Sequence, residues 1–375
     1  MQRPIDWLSI FVLAALLLSI SCRGQPSAHS GNNAKHGQRS INGKLIGETV
    51  SSVDTNIFAI FQDHRGHYWF GSNGRGLYRY DGRTITHFDT SDGLCNNSIR
   101  GIQEDSLGNI YVNTLKGISR FDGEFATLAV TPSKDWKLEP GDLWFSSNQD
   151  DNGPFRYDGR TLYHLEFPKH YLADDFYKRI PNPPYNPYQV YSVYKDRKGN
   201  VWLGTSTFGA CRFDGKSLSW LYERHLSHIG EQGSFGIRSI IEHSDGPFWF
   251  CNTSYRYQIH PPNRAGSDSG RVRYSRQSGI EGLRSADGNT VYFMSVVEGE
   301  AKDLWMLTYA QGVWRCNPST GKVSNYPVRS GSRDVKLQSI YKDRKGKLWL
   351  ATQDAGVYTF NGTSFVPFQP SRSRS

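Results

Sequence analysis

DHRGHYWFGSNGRGLYRYDG, residues 63–82, puts an acidic tight turn, an apolar strand carrying Trp69, a second strand and a closing Tyr-Asp-Gly side by side. Two further stretches follow the same scheme, DRKGNVWLGTSTFGACRFDG (196–215) and DRKGKLWLATQDAGVYTFNG (343–362). Looser copies extend the row of aromatic anchors to Trp69, Tyr111, Trp144, Trp202, Trp249, Trp305 and Trp349. Ten positions upstream stand Ala59, Gly101, Ser192, Ser239, Ser295 and Ser339, while Lys134 breaks the rule in the third copy. A unit of about 45 residues made only of strands cannot bury a core alone and must stack on its neighbours. Radial stacking makes a β-propeller, so the spacing predicts an all-β fold, a seven-bladed propeller of four-stranded antiparallel blades.

In the first copy the strands read IFAIFQD (57–63), HYWFGS (67–72), GLYRYDG (76–82) and TITHFD (84–89), with Gly, Asp or Asn between them. They become strands A to D, from the axis outward. Crowding of the innermost strands accounts for the small residue in strand A. The Gly three before the anchor suits a tight A–B connection. Asp63, Asp105, Asp196 and Asp343 open that turn, where a carboxylate can cap backbone N–H groups. Such carboxylates resemble cation ligands or catalytic acids, but their recurrence at one structural place argues for a structural role. A catalytic group need occur only once. The Trp row reads as blade-to-blade packing for the same reason.

The N-terminus reads as an export signal. Arg3 precedes an apolar run from Leu8 to Ile20, too short to span a bilayer comfortably, and Leu18-Ser19-Ile20-Ser21-Cys22 resembles a lipoprotein processing site. Ser19 departs from the usual Leu, and a plain secretory signal with Cys22 incidental is the alternative. The expected organisation is a signal peptide (1–21), a flexible tether (22–50), the propeller (51–369) and a tail (370–375). Cys22 would be lipidated, holding the chain to the bacterial envelope by a lipid anchor only. Cys95, Cys211, Cys251 and Cys316 lack CxxC spacing and fall at non-equivalent places, so free and mostly buried thiols are expected rather than a metal site. The formal net charge of +9 suggests an anionic ligand or surface. In an exported protein it does not argue for nucleic acid.

The Asp, Gly, Trp and Gly-Leu-x-Arg-Tyr-Asp elements of residues 63–82 and their copies resemble the two-component-regulator propeller repeat, and SDGLCNNSI (91–99) matches its Gly-Leu-x-x-Asn connection. The resemblance covers about 57–368, clearest in copies one, two, four and seven. It implies an extracytoplasmic sensor module of the kind placed ahead of a membrane hybrid histidine kinase that responds to glycans. This chain carries no kinase segment after the repeats, so signalling would need a partner, a membrane histidine kinase or another envelope protein. Docking to such a protein as a scaffold is a further alternative.

In a propeller the D–A and B–C loops share the face that opens the channel, and rigidly held loops are where binding residues concentrate. The D–A loops 168–188, 223–235 and 276–290 are long. The second position of strand A, Phe58, Arg100, Tyr191, Arg238, Phe293 and Gln338, is varied and often polar, as a channel-facing row should be. With B–C residues it forms the expected ligand-binding set: Asn73, Arg75, Arg100, Lys116, Tyr191, Arg238, Arg256, Gln311, Gln338 and Asp354. Arg, amide and Tyr groups suit a glycan or a small anionic molecule. Virginiamycin-B-type lyases also use seven-bladed propellers. For an enzyme of that kind the candidates are His225, His228 and Glu231 in one loop, with Tyr171 or Tyr185 from another. No Gly-rich phosphate loop, nucleophile elbow or metal motif stands in the sequence, so no cofactor or metal is expected.

Overall fold

The computed structural model describes residues 40–41, 44–148, 151–223, 226, 235–261, 270–280, 283, 291–308 and 312–370. Seven sheets follow one another along the chain as the blades of a propeller. Blade one comprises strands A (Ile57–Gln62), B (Tyr68–Ser72), C (Leu77–Tyr80) and D (Ile85–Phe88). In blade two the strands are Ile99–Glu104, Ile110–Thr114, Gly117–Phe121 and Phe125–Thr127. Those of blade four are Val190–Lys195, Val201–Thr205, Ala210–Phe213 and Leu218–Leu221. Blade five has Ile240–Glu242, Phe248–Phe250, Tyr255–Ile259 and Tyr274–Ser278. Blade six has Phe293–Glu298, Leu304–Thr308, Val313–Cys316 and Val323–Tyr326, and blade seven has Leu337–Lys342, Leu348–Thr352, Val357–Phe360 and Phe365–Pro367. Glu48–Val50, ahead of the expected propeller boundary, pairs with strand D of blade one as a fifth strand.

Blade three differs. Its strands B (Leu143–Phe145), C (Phe155–Tyr157) and D (Leu162–Leu165) are regular, but its fourth strand, Val130–Ser133, runs parallel to D on the outer edge. Among the described residues no inner strand pairs with Leu143–Phe145. Residues 134–142 lie against blade four instead, with the Trp136 ring 5.4 Å from Phe213 and 5.3 Å from Phe167. The exposed Lys134, which breaks the small-residue rule, is therefore not in a strand A at all. Side chains of blade two replace the missing strand. Gln103 donates to the Trp144 carbonyl (2.7 Å) and Asn113 to that of Ser146 (3.1 Å), satisfying backbone acceptors that strand A would otherwise meet.

The turn carboxylates are fully engaged. Asp196 Oδ1 accepts from the Lys198 and Asn200 backbone N–H groups, and Oδ2 accepts from the Trp202 indole at 2.9 Å. The indoles of Trp69 and Trp349 bond Asp63 and Asp343 at the same 2.9 Å, and Tyr111 bonds Asp105 through its hydroxyl at 3.0 Å. The repeat thus ties the acid to the aromatic six residues on. Gly66, Gly108, Gly199 and Gly346 close these turns at φ 82–87°, a region open to glycine at little steric cost. In blades three, five and six no carboxylate stands six before the anchor, and the buried indole nitrogens of Trp144 and Trp249 have no hydrogen-bond partner among the described residues.

The arginine of the Gly-Leu-x-Arg motif faces the anchor across strands B and C: Trp69 with Arg79, Tyr111 with Arg120, Trp144 with Arg156, Trp202 with Arg212, Trp305 with Arg315. Blades three and six add a carboxylate two residues before the anchor. Asp142 clasps the buried Arg156 at 2.6 and 3.0 Å, and Asp303 clasps Arg315.

Neighbouring inner strands are stitched by the small residue. Ser192 donates to the Ile237 carbonyl (2.7 Å), Ser295 to Ile340 (3.3 Å) and Ser339 to Phe58 (3.0 Å). The steric pinch sits elsewhere, two residues past the anchor. A Cβ on Gly71 would come within 2.5 Å of Ile99, and one on Gly204 within 2.3 Å of the Ile237 carbonyl. A Cβ on Gly101, facing the blade that lacks its inner strand, meets only Asn113 at 3.9 Å. On the opposite rim the last residue of strand A caps the turn of the preceding blade: Glu104 accepts from the His64 N–H, Glu242 from Arg197, Glu298 from Ser244. Gln62 does the same for Arg344, closing the ring between blades seven and one without strand exchange. Tyr68 adds a bond to Asp343 (2.7 Å) and a ring contact with Trp349 (4.3 Å).

All four described cysteines are free, as expected, with Cys211, Cys251 and Cys316 buried and Cys95 half-buried. Among the described residues no helix is long and apolar enough to cross a membrane.

Candidate functional site at the channel mouth

Strand A carries a bulge near its start in blades one, two, four, six and seven. The register skips one residue between Ile57 and Ala59, Ile99 and Gly101, Val190 and Ser192, Phe293 and Ser295, and Leu337 and Ser339. Bulges leave a residue unpaired and re-aim its side chain. The residues skipped are Phe58, Arg100, Tyr191, Met294 and Gln338. Phe293, assigned to this row from the sequence, is corrected to Met294: Phe293 keeps its ladder partner Thr308 and is fully buried. The B–C loops meet the start of strand A on the same face, as Asn73 does with Ser98 and Gly356 with Thr55.

Two arginine-on-aromatic pairs form between adjacent blades. The Arg100 guanidinium lies 4.6 Å from the Phe58 ring centroid and donates to Asn73 Oδ1 at 3.1 Å. Arg238 lies 4.5 Å from the Tyr191 ring, and its Nε donates to the Phe235 carbonyl at 3.2 Å. Tyr191 is wedged against Gly236, where any Cβ would fall 2.5 Å from the ring. The blades that contribute these pairs, one with two and four with five, flank the blade that lacks its inner strand.

Arg100 is half-buried, and burial lowers its pKa. Among the described residues no carboxylate pairs with it. A desolvated guanidinium stacked on a ring and held by an amide is preorganised for an anion. The exposed Arg75 and Lys116 sit on the B–C loops of blades one and two and add to the basic rim beside it.

Other predicted residues scatter. Gln338 accepts from Gln353 at 3.0 Å. Asp354 is occupied by Arg333 and by the Lys336 N–H. Arg256 is not a loop residue. It lies in strand C of blade five, one position before Tyr257, whose partner is Phe248, so it faces the anchor Trp249. It thus belongs to the structural row of Arg79, Arg120, Arg156, Arg212 and Arg315, and the recurrence that marks the turn aspartates as structural applies to it too. Gln311, His225, His228, Glu231 and Cys22 lie outside the described residues.

The sequence reading missed His170. It is buried among Phe208 (4.5 Å), Trp220 (4.8 Å) and Tyr171 (4.1 Å) in the loop between blades three and four, its backbone N–H donating to the Tyr188 hydroxyl at 2.8 Å. Burial, then the charge of Arg271, pushes its pKa down to about 4. A histidine flanked by aromatics in a Tyr- and Pro-rich loop was the available signal.

Residues 51–74 and 184–207 match the family model described as two component regulator propeller. Among proteins of curated function none matches the chain. The fold is similar to the extracellular domain of a putative hybrid two component system from B. thetaiotaomicron (TM-score 0.55, 18% identity), covering 83% of this chain and 39% of that one. The chain therefore spans about two fifths of that domain's length. Virginiamycin B lyase from Staphylococcus aureus superposes with TM-score 0.57 and 15% identity, over 84% of this chain and 98% of the lyase. PorZ, a surface component of the type-IX secretion system of Porphyromonas gingivalis, gives 0.57 and 17%, over 84% and 47%. At these identities the likeness is one of fold. Two segments of the chain thus carry the two component regulator propeller repeat, and the fold around them is a seven-bladed propeller.

Proposed function

We propose that this chain is an exported, lipid-anchored sensing propeller that binds a small anionic molecule or an anionic glycan at its channel mouth. The observation that carries the reading is Arg100, half-buried, stacked on Phe58, held by Asn73 and paired with no carboxylate among the described residues. Arg238 on Tyr191 supplies a second cationic platform, on the blade four side of blade three. Phe58 and Tyr191 offer ring faces to a sugar, while the guanidiniums offer paired donors to a carboxylate or sulfate. Likeness to the extracellular domains of two-component systems supports a sensing role with a membrane partner, and Cys22 would hold the chain to the envelope.

The test is calorimetric titration of the chain with oligosaccharides bearing uronate or sulfate groups. Saturable, salt-weakened binding without product formation is expected. Arg100→Ala should weaken it at least about tenfold, the scale of one charge-assisted hydrogen bond to an ion, with an unchanged circular dichroism spectrum. Equal binding by Arg100→Ala would remove the mouth as the site, and turnover of the glycan would replace the sensor by a lyase. Loss of metabolic palmitate labelling in Cys22→Ala tests the anchor.

A further inference from the structure

The two arginine platforms of the mouth hold fixed places around the ring. Hydrogen bonds join the blades in chain order: Asn113 to the Ser146 carbonyl between two and three, the Ser147 N–H to the Val190 carbonyl between three and four, and Ser192 to the Ile237 carbonyl between four and five. Arg100 lies in strand A of blade two, and Arg238 just precedes strand A of blade five. Each leans onto an aromatic of the preceding blade, Phe58 at 4.6 Å and Tyr191 at 4.5 Å. Three steps of a seven-membered ring are roughly 150°, so the guanidiniums stand on nearly opposite sides of the channel axis. Both platforms are held before a ligand arrives. Ser339 fixes the Phe58 carbonyl at 3.0 Å, and Gly236 packs against the Tyr191 ring.

The bulged row carries its charge at the two ends only. Met294 and Gln338, the skipped residues of blades six and seven, are uncharged. Two carboxylates of the same face are already engaged: Asp54 accepts from the Ser72 hydroxyl and the Thr55 N–H, and Asp354 pairs with Arg333 and accepts the Lys336 N–H. Among the described residues neither Arg100 nor Arg238 pairs with a carboxylate; their hydrogen-bond acceptors are the Asn73 amide and the Ile99 carbonyl for the first and the Phe235 carbonyl for the second. A monoanion satisfies one guanidinium and leaves the other unpaired. A molecule with an anionic group at each end engages both, and the second contact forms at high effective concentration once the first is made. A guanidinium fork matches a carboxylate bidentately. We infer that the mouth selects an elongated dianion, a linear dicarboxylate held end to end between Arg100 and Arg238. This rests on the mouth being the ligand site and names the class of ligand it takes.

The experiment is calorimetry of the full chain with succinate, adipate, suberate and sebacate, each against butyrate, hexanoate, octanoate or decanoate of the same length. At least one dicarboxylate should bind one to one and at least about tenfold tighter than its monocarboxylate match, the gain of a linked second contact. Affinity should pass through an optimum with chain length, because too short a stem cannot reach both arginines. Arg100→Ala and Arg238→Ala should each reduce that dicarboxylate to the affinity of the monocarboxylate, with the circular dichroism spectrum unchanged. Arg238→Lys, which keeps the charge and loses the fork, should fall between. Equal affinity for the two series, two dicarboxylates bound per chain, or indifference to Arg238→Ala would each overturn the dianion, while binding lost in Arg100→Ala alone would keep the mouth as an anion site. Failure of every carboxylate to bind, with oligosaccharides bearing uronate or sulfate still bound, overturns this inference and leaves the mouth standing. Dicarboxylate binding that survives both substitutions overturns the two together.

Discussion

Blades four and three are neighbours with the same anchor, Trp202 in one and Trp144 in the other, and they solve the anchor's polar nitrogen differently. In blade four Asp196 takes the indole N–H and two backbone N–H groups in one carboxylate. In blade three the indole has no partner among the described residues, the charge pair uses Asp142 two residues before the anchor, and no inner strand is found among the described residues. Regular blades are held by bonds local to one turn. The irregular one relies on its neighbours: Gln103 and Asn113 from blade two, and the stacking of Trp136 on blade four. The two arginine platforms of the mouth flank this irregular sector, where the ring has fewer backbone bonds and more loop.

The sharpest way to break the comparison is Asp142→Ala. It leaves the buried Arg156 without a counter-charge, and removal of one partner from such a pair costs roughly 3–5 kcal/mol. The urea midpoint should fall accordingly, while Asp142→Leu with Arg156→Met should recover most of the loss. Equal losses in the single and double variants would show that the pair itself, not the stranded charge, sustains the blade.

Acid separates the two regions next. The folded pKa of His170 lies below its ordinary value, so the unfolded chain binds more protons over that interval. Its contribution is therefore complete above about pH 6.5 and is lost as pH falls toward 4, on the order of 3 kcal/mol. In the regular blades burial works against ionisation of Asp105 and Asp343. Hydrogen bonds from Asn109 and Tyr111 to the first, and from Trp349 and Tyr68 to the second, outweigh it and hold both carboxyls below the usual range. Their contribution is lost only below about pH 4, as pH falls through the folded value. Urea midpoints at pH 7, 5.5 and 4.5 should decline in the wild type and stay nearly flat in His170→Gln. A parallel decline in both would place the acid sensitivity elsewhere.

Smaller effects test the indole accounts. Trp202→Phe loses a bond to Asp196 that Trp144→Phe does not have, so the first should cost about 1–2 kcal/mol more in chemical denaturation. Equal costs would mean that the Asp–Trp link adds nothing. Smallest is the stitching hydroxyl. Ser339→Ala should cost about 1 kcal/mol by removing its bond to Phe58, whereas Gly101→Ser, which has room and no inner strand opposite, should stay within about 0.5 kcal/mol.

Much of this was readable before any coordinates. Asp, Gly and Trp lie within seven residues of one another, and a turn that short is set by its own side chains. Blade number, strand order and the structural role of the turn acids therefore follow from spacing alone. Arg100 and Tyr191 were also legible as part of a polar row beside the small residues, because a bulge recurs at a constant distance from the anchor, while Asn73 was read from its place on a B–C loop and Arg238 from its place before Ser239. Arg256 misled because blade five has drifted far from the Gly-Leu-x-Arg pattern, and only its place opposite Trp249 reveals the row to which it belongs. The irregular inner edge of blade three and the burial of His170 were decided by contacts between distant segments. Strand choice and loop packing depend on which surfaces meet across blades, and local spacing carries no record of those partners.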